Sequence, residues 1–285
     1  MSRELVLGTM VLVLCGAGAW LASWVPATSG AGDLRARSGR ALEARAWRRI
    51  WLTLLPAGIA LATMFGWALQ EPGVTDERLL PTVIVAVTPI GLLWLRCALR
   101  ACVALWAPRA LPPIATVGLW RPRVVVAAAL RDSLDPEAFA AALAHEQVHV
   151  RHRDPLRIWL AQVVTDLQWP SPAARRRFDH WLTALELARD EEARLAGASG
   201  EDLAAAIVTV ARMPWRATGG AMACLTRAET SLVSRVHRLL APVLPDRSRR
   251  SLVRPLAIFA VLLVGVAIGA AYGDDVLRAM PFIGA

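Results

Sequence analysis

The chain has no lysine: all 32 of its cationic residues are arginine. It has one tyrosine, Tyr272, and five histidines, and charged residues make up only 19% of its 285 positions against 56% hydrophobic. Each shortage excludes something. So little charge with a mean hydropathy of +0.44 lies outside the range of an ordinary soluble domain and points to a bilayer. The four cysteines, Cys15, Cys97, Cys102 and Cys224, form no CxxC pair, which argues against a structural metal cluster; three lie in or beside apolar runs, and they read as free, buried, small hydrophobes. The arginines lack interleaved aromatics. Despite a net charge of +9, anionic lipid headgroups are therefore their expected counterions, and direct contact with nucleic acid is not expected.

Four apolar runs, at 5–25, 50–69, 79–95 (continuing toward 99) and 255–272, have the roughly 17–25 residues needed to cross a hydrocarbon core. Segment 26–49 carries Arg35, Arg37, Arg40, Arg45, Arg48 and Arg49 against Asp33 and Glu43, whereas 70–78 carries Glu71, Asp76 and Glu77 against Arg78. An excess of arginine marks the cytosolic side, so the first loop is expected inside and the second outside. The expected organisation is an N-terminal membrane domain with three transmembrane helices over 1–107, a cytosolic domain over 108–250, and a fourth transmembrane helix with a short external tail over 251–285. Both termini would then be external, in a multi-pass protein of the plasma membrane. A cleaved signal peptide over 1–25 fits less well, because Met1-Ser2-Arg3-Glu4 has no clear positive start and no small-x-small site follows. Trp20, Trp24, Trp51, Trp67, Trp94 and Trp106 fall near the run ends as interface anchors. Gly265 and Gly269 form a GxxxG spacing, which is either a close-packing face or a chance occurrence.

Within the 108–250 region, Ala141-Ala-Leu-Ala-His145-Glu146-Gln-Val-His149-Val150 carries His-Glu-x-x-His. Asp135, Pro136 and Glu137 supply a helix start, and neither Pro nor Gly interrupts the run to Arg153. Residues four apart share a helix face, so His145 and His149 can offer two imidazole nitrogens to one tetrahedral ion, with Glu146 displaced around the helix as a general base. A catalytic zinc site usually takes three protein ligands. Candidates for the third are His152, His180, Glu186, Asp190, Glu191 and Glu192. On the helix that follows Ser171-Pro172, Glu186 and Asp190 lie four apart; if Glu186 binds the ion, Asp190 can accept the free ring N–H of a histidine.

His145-Glu-Gln-Val-His149, the basic tail from Arg151 to Leu156, and Glu186-Leu-Ala-Arg-Asp190 after 36 intervening residues resemble the membrane-embedded zinc peptidases of the BlaR/MecR type, peptidase family M56. The resemblance implies that His145, His149 and Glu186 bind zinc, that Glu146 is the catalytic base and that Asp190 supports a histidine. It also implies a gluzincin-like fold, mainly α, with transmembrane helices around a helical peptidase domain.

The other segments have plainer readings. Residues 114–119 and 123–128 read as two short strands, offering either a substrate-binding edge or a hairpin packed on the active-site helix. Asp154-Pro155 opens the next helix, and Thr226 to Glu229 makes a capping box for a helix ending near Leu240. His152 reads as part of a solvated basic turn and His180 as a surface histidine. Arg175, Arg176 and Arg177 read as contacts to lipid phosphate or a partner, and His237 with Arg235 and Arg238 as a basic cytosolic face.

The expected function is a membrane zinc endopeptidase that cuts a protein on the cytosolic side. By the resemblance, the substrate is a DNA-binding transcriptional repressor, cut when a signal crosses the membrane. Thirteen residues follow the last run, so the penicillin-binding sensor domain of the best-known members is expected to be missing and direct β-lactam sensing is not expected. The alternatives are a membrane signalling or scaffold protein with a vestigial zinc site and a general quality-control protease. Homodimerisation stays open, as does any oxyanion donor besides the metal, since Tyr272 lies at the end of the last run.

Overall fold

Serine, aspartate and proline punctuate this chain at the points where helices begin. The computed structural model describes residues 38–69, 81–106, 112–213, 229–243 and 253–278. These form α1 (Gly39–Leu52), α2 (Leu55–Ala68), α3 (Pro81–Trp106), a hairpin of β1 (Ile114–Val117) and β2 (Arg123–Val126), and a short α4 (Ala128–Arg131). There follow α5 (Pro136–His152), α6 (Asp154–Asp166), α7 (Pro172–Leu195), α8 (Gly200–Arg212), α9 (Glu229–Leu240) and α10 (Val253–Arg278). Ser38, Ser171 and Ser199 cap α1, α7 and α8 by accepting otherwise unpaired N–H groups of the first turn. The strands pair antiparallel, with Ile114 opposite Val126 and Val117 opposite Arg123.

Two apolar clusters position the site. Leu42, Ala46 and Ile50 of α1 pack with Ile158, Ala161 and Val164 of α6 and with Phe178, Trp181 and Leu185 of α7. Ile114 of β1, Ala141, Ala142 and Val148 of α5, Leu203 and Ile207 of α8 and Leu239 of α9 form the other. Helix α7 contributes to both, through Leu185 and Ala193, and is buried along most of its length.

The turn from α5 to α6 is abrupt. Arg153 takes φ +52°, a left-handed conformation that ends α5, and Asp154-Pro155 starts α6 at once. The first residue of α6 is thereby folded back beside the last turns of α5. The far end of α6 is fixed to α3, where Arg100 Nε lies 3.0 Å from both carboxylate oxygens of Asp166 and Trp159 Nε1 donates to Ala101 O at 3.2 Å.

The expected apolar run 50–69 is divided. Ile50 belongs to α1 and is buried in the α6–α7 cluster, Thr53 Oγ1 turns back to Ile50 O at 2.7 Å, and α2 starts at Leu55. Pro56 has no N–H to give and so sits in a first turn, which sets the break before it. The runs at 79–99 and 255–272 appear within α3 and α10. The run 5–25, Cys15, Cys224 and Thr226 lie outside the described residues. Cys97 is buried as expected, but Cys102 is exposed. Among the described residues no helix is long and apolar enough to cross a membrane; in α10 the described side chains are those of 257–272. Gly265 and Gly269 do form a close-packing face: a Cβ on Gly269 would lie 1.8 Å from Thr63 O, and one on Gly66 2.0 Å from Val266 O, so α2 and α10 touch backbone to backbone.

Helix α1 also meets α7 backbone to backbone, since a Cβ on Gly39 would lie 2.6 Å from the carbonyl of Leu187. Gly39→Ala must push the two backbones apart, and a destabilisation of about 1–3 kcal/mol is expected. Thermal unfolding of the detergent-solubilised protein checks it: the melting temperature falls for Gly39→Ala and holds for Gly91→Ala, where a Cβ meets nothing within 4 Å.

Candidate metal centre

An alanine-rich helix can approach its neighbours closely, and α5 buries Ala138, Ala141, Ala142 and Val148 along with His145, Glu146 and His149. The two histidines sit one turn apart with ring centroids 4.8 Å apart and Nε2 atoms separated by 3.0 Å. From α7, Glu186 brings Oε2 to 3.5 Å from His145 Nε2 and Oε1 to 3.8 Å from His149 Nε2. A tetrahedral ion with bonds of about 2.0–2.1 Å holds its ligand atoms about 3.3 Å apart, so the spacing of these three atoms suits such an ion. Glu186 Oε2 and Glu146 Oε1 are buried and make no hydrogen bond, although Arg235 Nη1 stands 3.1 Å from Glu186 Oε2 as an unaligned ion pair. A buried polar atom left unpaired costs about 1–3 kcal/mol, and an unpaired Glu186 Oε2 3.5 Å from His145 Nε2 fits a site shaped for a cation.

The outward-facing nitrogen of each imidazole meets a carboxylate, and arginine grips each of those carboxylates. His145 Nδ1 lies 2.9 Å from Asp190 Oδ1, in contact but without hydrogen-bond alignment. Arg235 of α9 donates to both oxygens of Asp190, at 2.8 and 2.7 Å. His149 Nδ1 lies 2.7 Å from Asp154 Oδ2. Arg189 of α7 donates to both oxygens of Asp154, and Arg157 adds a bond to Oδ1 at 3.1 Å. Arg157 in turn pairs with Glu43 of α1.

These partners set the charges. Burial opposes protonation of His145, but the carboxylates of Asp190 and Glu186 outweigh it and push the ring up to about 9. Burial likewise opposes ionisation of the three carboxyls. Arg189 with His149 nevertheless holds Asp154 well below the usual carboxylate range, and Arg235 with His145 does the same for Asp190. Glu186 is also lowered, by Arg235 and both histidines.

Glu146 is aimed by the hairpin. Thr116 Oγ1 of β1 lies 2.6 Å from Glu146 Oε2 and 3.0 Å from its backbone oxygen, which leaves Oε1 as the unpaired atom. The hairpin is thus packed on α5, as one of its two expected readings has it.

The remaining candidates stand elsewhere. His152 Nε2 pairs with Glu192 at 2.8 Å, Glu191 accepts from Gly39 N–H at 2.7 Å and pairs with Arg238, and His180 is half-buried on α7. Two basic groups depart from their expected surface roles. Arg177 is buried and donates to Gln168 Oε1 at 3.0 Å, because the start of α7 turns inward. Arg235 is 1% exposed rather than part of a cytosolic face, because α9 folds back onto α7 and inserts it between Asp190 and Glu186. Asp154, Arg189 and Thr116 were not anticipated from the sequence. The only signal for Asp154 is its position five residues after His149 across a turn, which a helical-face argument does not reach.

Two histidines one turn apart, a glutamate from a second helix and a second carboxylate beside the cluster are the arrangement of a metallopeptidase. Residues 108–239 match the family model of the BlaR1 peptidase M56, so this stretch of the chain is similar to the M56 peptidases. No curated protein and no solved structure matches the chain.

The raised His145 gives a signed pH dependence. Its folded value of about 9 lies above the ordinary 6.5, so in metal-free protein its contribution to stability is fully present below about 6.5 and is lost as pH rises through about 9. The melting temperature of chelator-treated protein is expected to fall between pH 7 and 10, and His145→Gln to flatten that slope.

Proposed function

We propose that the protein is a membrane-embedded zinc metalloendopeptidase that cuts a protein substrate on the cytosolic side. The observation that carries this reading is the convergence of His145, His149 and Glu186 from two helices, with Glu146 buried on the helix of the two histidines and its Oε1 without a hydrogen bond. Zinc held by His145, His149 and Glu186 would supply Lewis acidity toward the attacking water and the scissile carbonyl. Glu146 takes the proton of the attacking water at Oε1 and passes it to the leaving amine, while Thr116 holds its other oxygen. Asp190 keeps Nδ1 of His145 engaged so that Nε2 faces the ion.

The membrane setting rests on the four apolar runs and the charges between them. It is supported by the apolar side chains that α3 and α10 leave exposed, among them Leu92, Leu95, Leu99, Phe259 and Leu263. In this reading the bilayer is a partner in its own right, and 108–250 forms the cytosolic catalytic domain between three N-terminal transmembrane helices and a fourth. A transcriptional repressor as substrate, cut during signal transduction, is proposed from the family resemblance.

Two substitutions test the chemistry. Glu146→Ala is expected to keep one zinc per chain and to lower cleavage about 10²–10⁴-fold, whereas His149→Ala loses both metal and cleavage. Elemental analysis together with N-terminal peptide profiling of cells with and without Glu146 reads both. Unchanged cleavage in Glu146→Ala would sink the enzymatic reading. For topology, a single cysteine at Thr75 in a cysteine-free background should react with an impermeant maleimide from outside, and one at the exposed Glu201 should not.

A further inference from the structure

We propose that Asp154 is a positioning residue for His149, forming with Arg189 and Arg157 a clamp on that ligand as necessary as the one Asp190 and Arg235 form on His145. The inference rests on the metallopeptidase reading and adds to it a residue that the His-Glu-x-x-His and Glu-x-x-x-Asp patterns do not include.

Geometry carries it. Asp154 is fully buried, and its Oδ2 lies 2.7 Å from His149 Nδ1, a closer approach than the 2.9 Å between Asp190 and His145. A carboxylate at Nδ1 keeps the ring proton there, which leaves Nε2 as the lone-pair atom that faces His145 and Glu186. The carboxylate cannot turn away. Arg189 holds both of its oxygens, and Arg157 holds Oδ1 from one turn further along α6. Arg157 is itself restrained, with its guanidinium 4.9 Å from the Trp47 ring and paired with Glu43. Burying so much charge to fix one aspartate is costly unless its position matters, and beside its arginines the group this aspartate meets is the His149 ring. The backbone is set to the same end, since the left-handed Arg153 makes the reversal that returns Asp154 to His149.

The test compares full-length wild type, Asp154→Asn and Asp166→Asn in detergent, the last as a control at the other end of α6. Zinc affinity is measured by chelator competition, and the ligand field by the visible spectrum of the cobalt-loaded protein. Asp154→Asn keeps the shape but removes the charge. Its zinc affinity is expected to drop about 10–100-fold with a shifted cobalt spectrum, while Asp166→Asn matches wild type in both. A structural role alone would lower the melting temperature and leave the folded fraction's affinity and spectrum unchanged, and that result overturns the proposal. If Asp154→Asn does not fold, Arg189→Lys, which replaces a two-point grip with one, carries the same measurement; an unaltered affinity there also overturns it. Wild type that takes up no stoichiometric zinc sensitive to His149→Ala would instead bring down the metallopeptidase reading itself.

Discussion

Everything in this molecule depends on keeping a set of buried charges in balance around two imidazoles. Glu146, Asp154, Glu186 and Asp190 lie inside the protein together with Arg189 and Arg235. An isolated ion in such surroundings is strongly unfavourable, and pairing offsets that cost only when geometry is good and the remaining donors are used. The two arginines meet the condition by gripping both oxygens of one aspartate each. Each grip needs elements that are far apart in the chain: α6 with α7 for one, α7 with α9 for the other. The site therefore cannot assemble from α5 alone, and the packing of α6, α7 and α9 is part of its chemistry.

Helix α6 shows how the site is tied to the rest of the chain. Its first residue, Asp154, touches His149, and its last, Asp166, is held by Arg100 and approached by Arg96 of α3. A single helix of 13 residues thus connects an imidazole of the candidate metal centre to a long apolar helix. Helix α1 makes a second connection, from Glu43 through Arg157 to the same aspartate and from Gly39 to Glu191. Neither α1 nor α3 lies within residues 108–239, so the surroundings of the histidine–carboxylate cluster extend beyond the stretch that the family model matches.

Much of this was legible in the sequence wherever one local rule decided the outcome. Helix α5 begins at an Asp-Pro-Glu start and runs uninterrupted, and its i, i+4 histidines share a face because the period of the helix requires it. The short strands were legible from their β-branched runs on either side of Trp120-Arg121-Pro122. What stayed hidden were relations between elements. Arg235 reads as a surface cation in any local window, and only the docking of α9 on α7 makes it a buried partner of Asp190. In the apolar run 50–69 Pro56 marked the break, but the burial of Ile50 stayed hidden because Ile50 looks the same facing lipid as facing Trp181. Asp154 was read as the start of a helix, which it is, but the left-handed residue before it also makes it a neighbour of His149.

The same charge balance explains why the cluster behaves as one unit rather than as a list of ligands. Replacing both members of a buried ion pair with apolar groups can be nearly neutral, whereas removing one leaves the other uncompensated at a cost of several kcal/mol. Here every member is shared: Arg235 serves Asp190 and Glu186, and Asp154 serves His149, Arg189 and Arg157. No pair can be removed cleanly, because each candidate for removal holds a third group in place. A sequence can therefore keep His145, Glu146 and His149 and still lose the geometry that makes them useful through one change on α6, α7 or α9. Only when the three helices hold together do the histidines present their Nε2 atoms to the same point as Glu186.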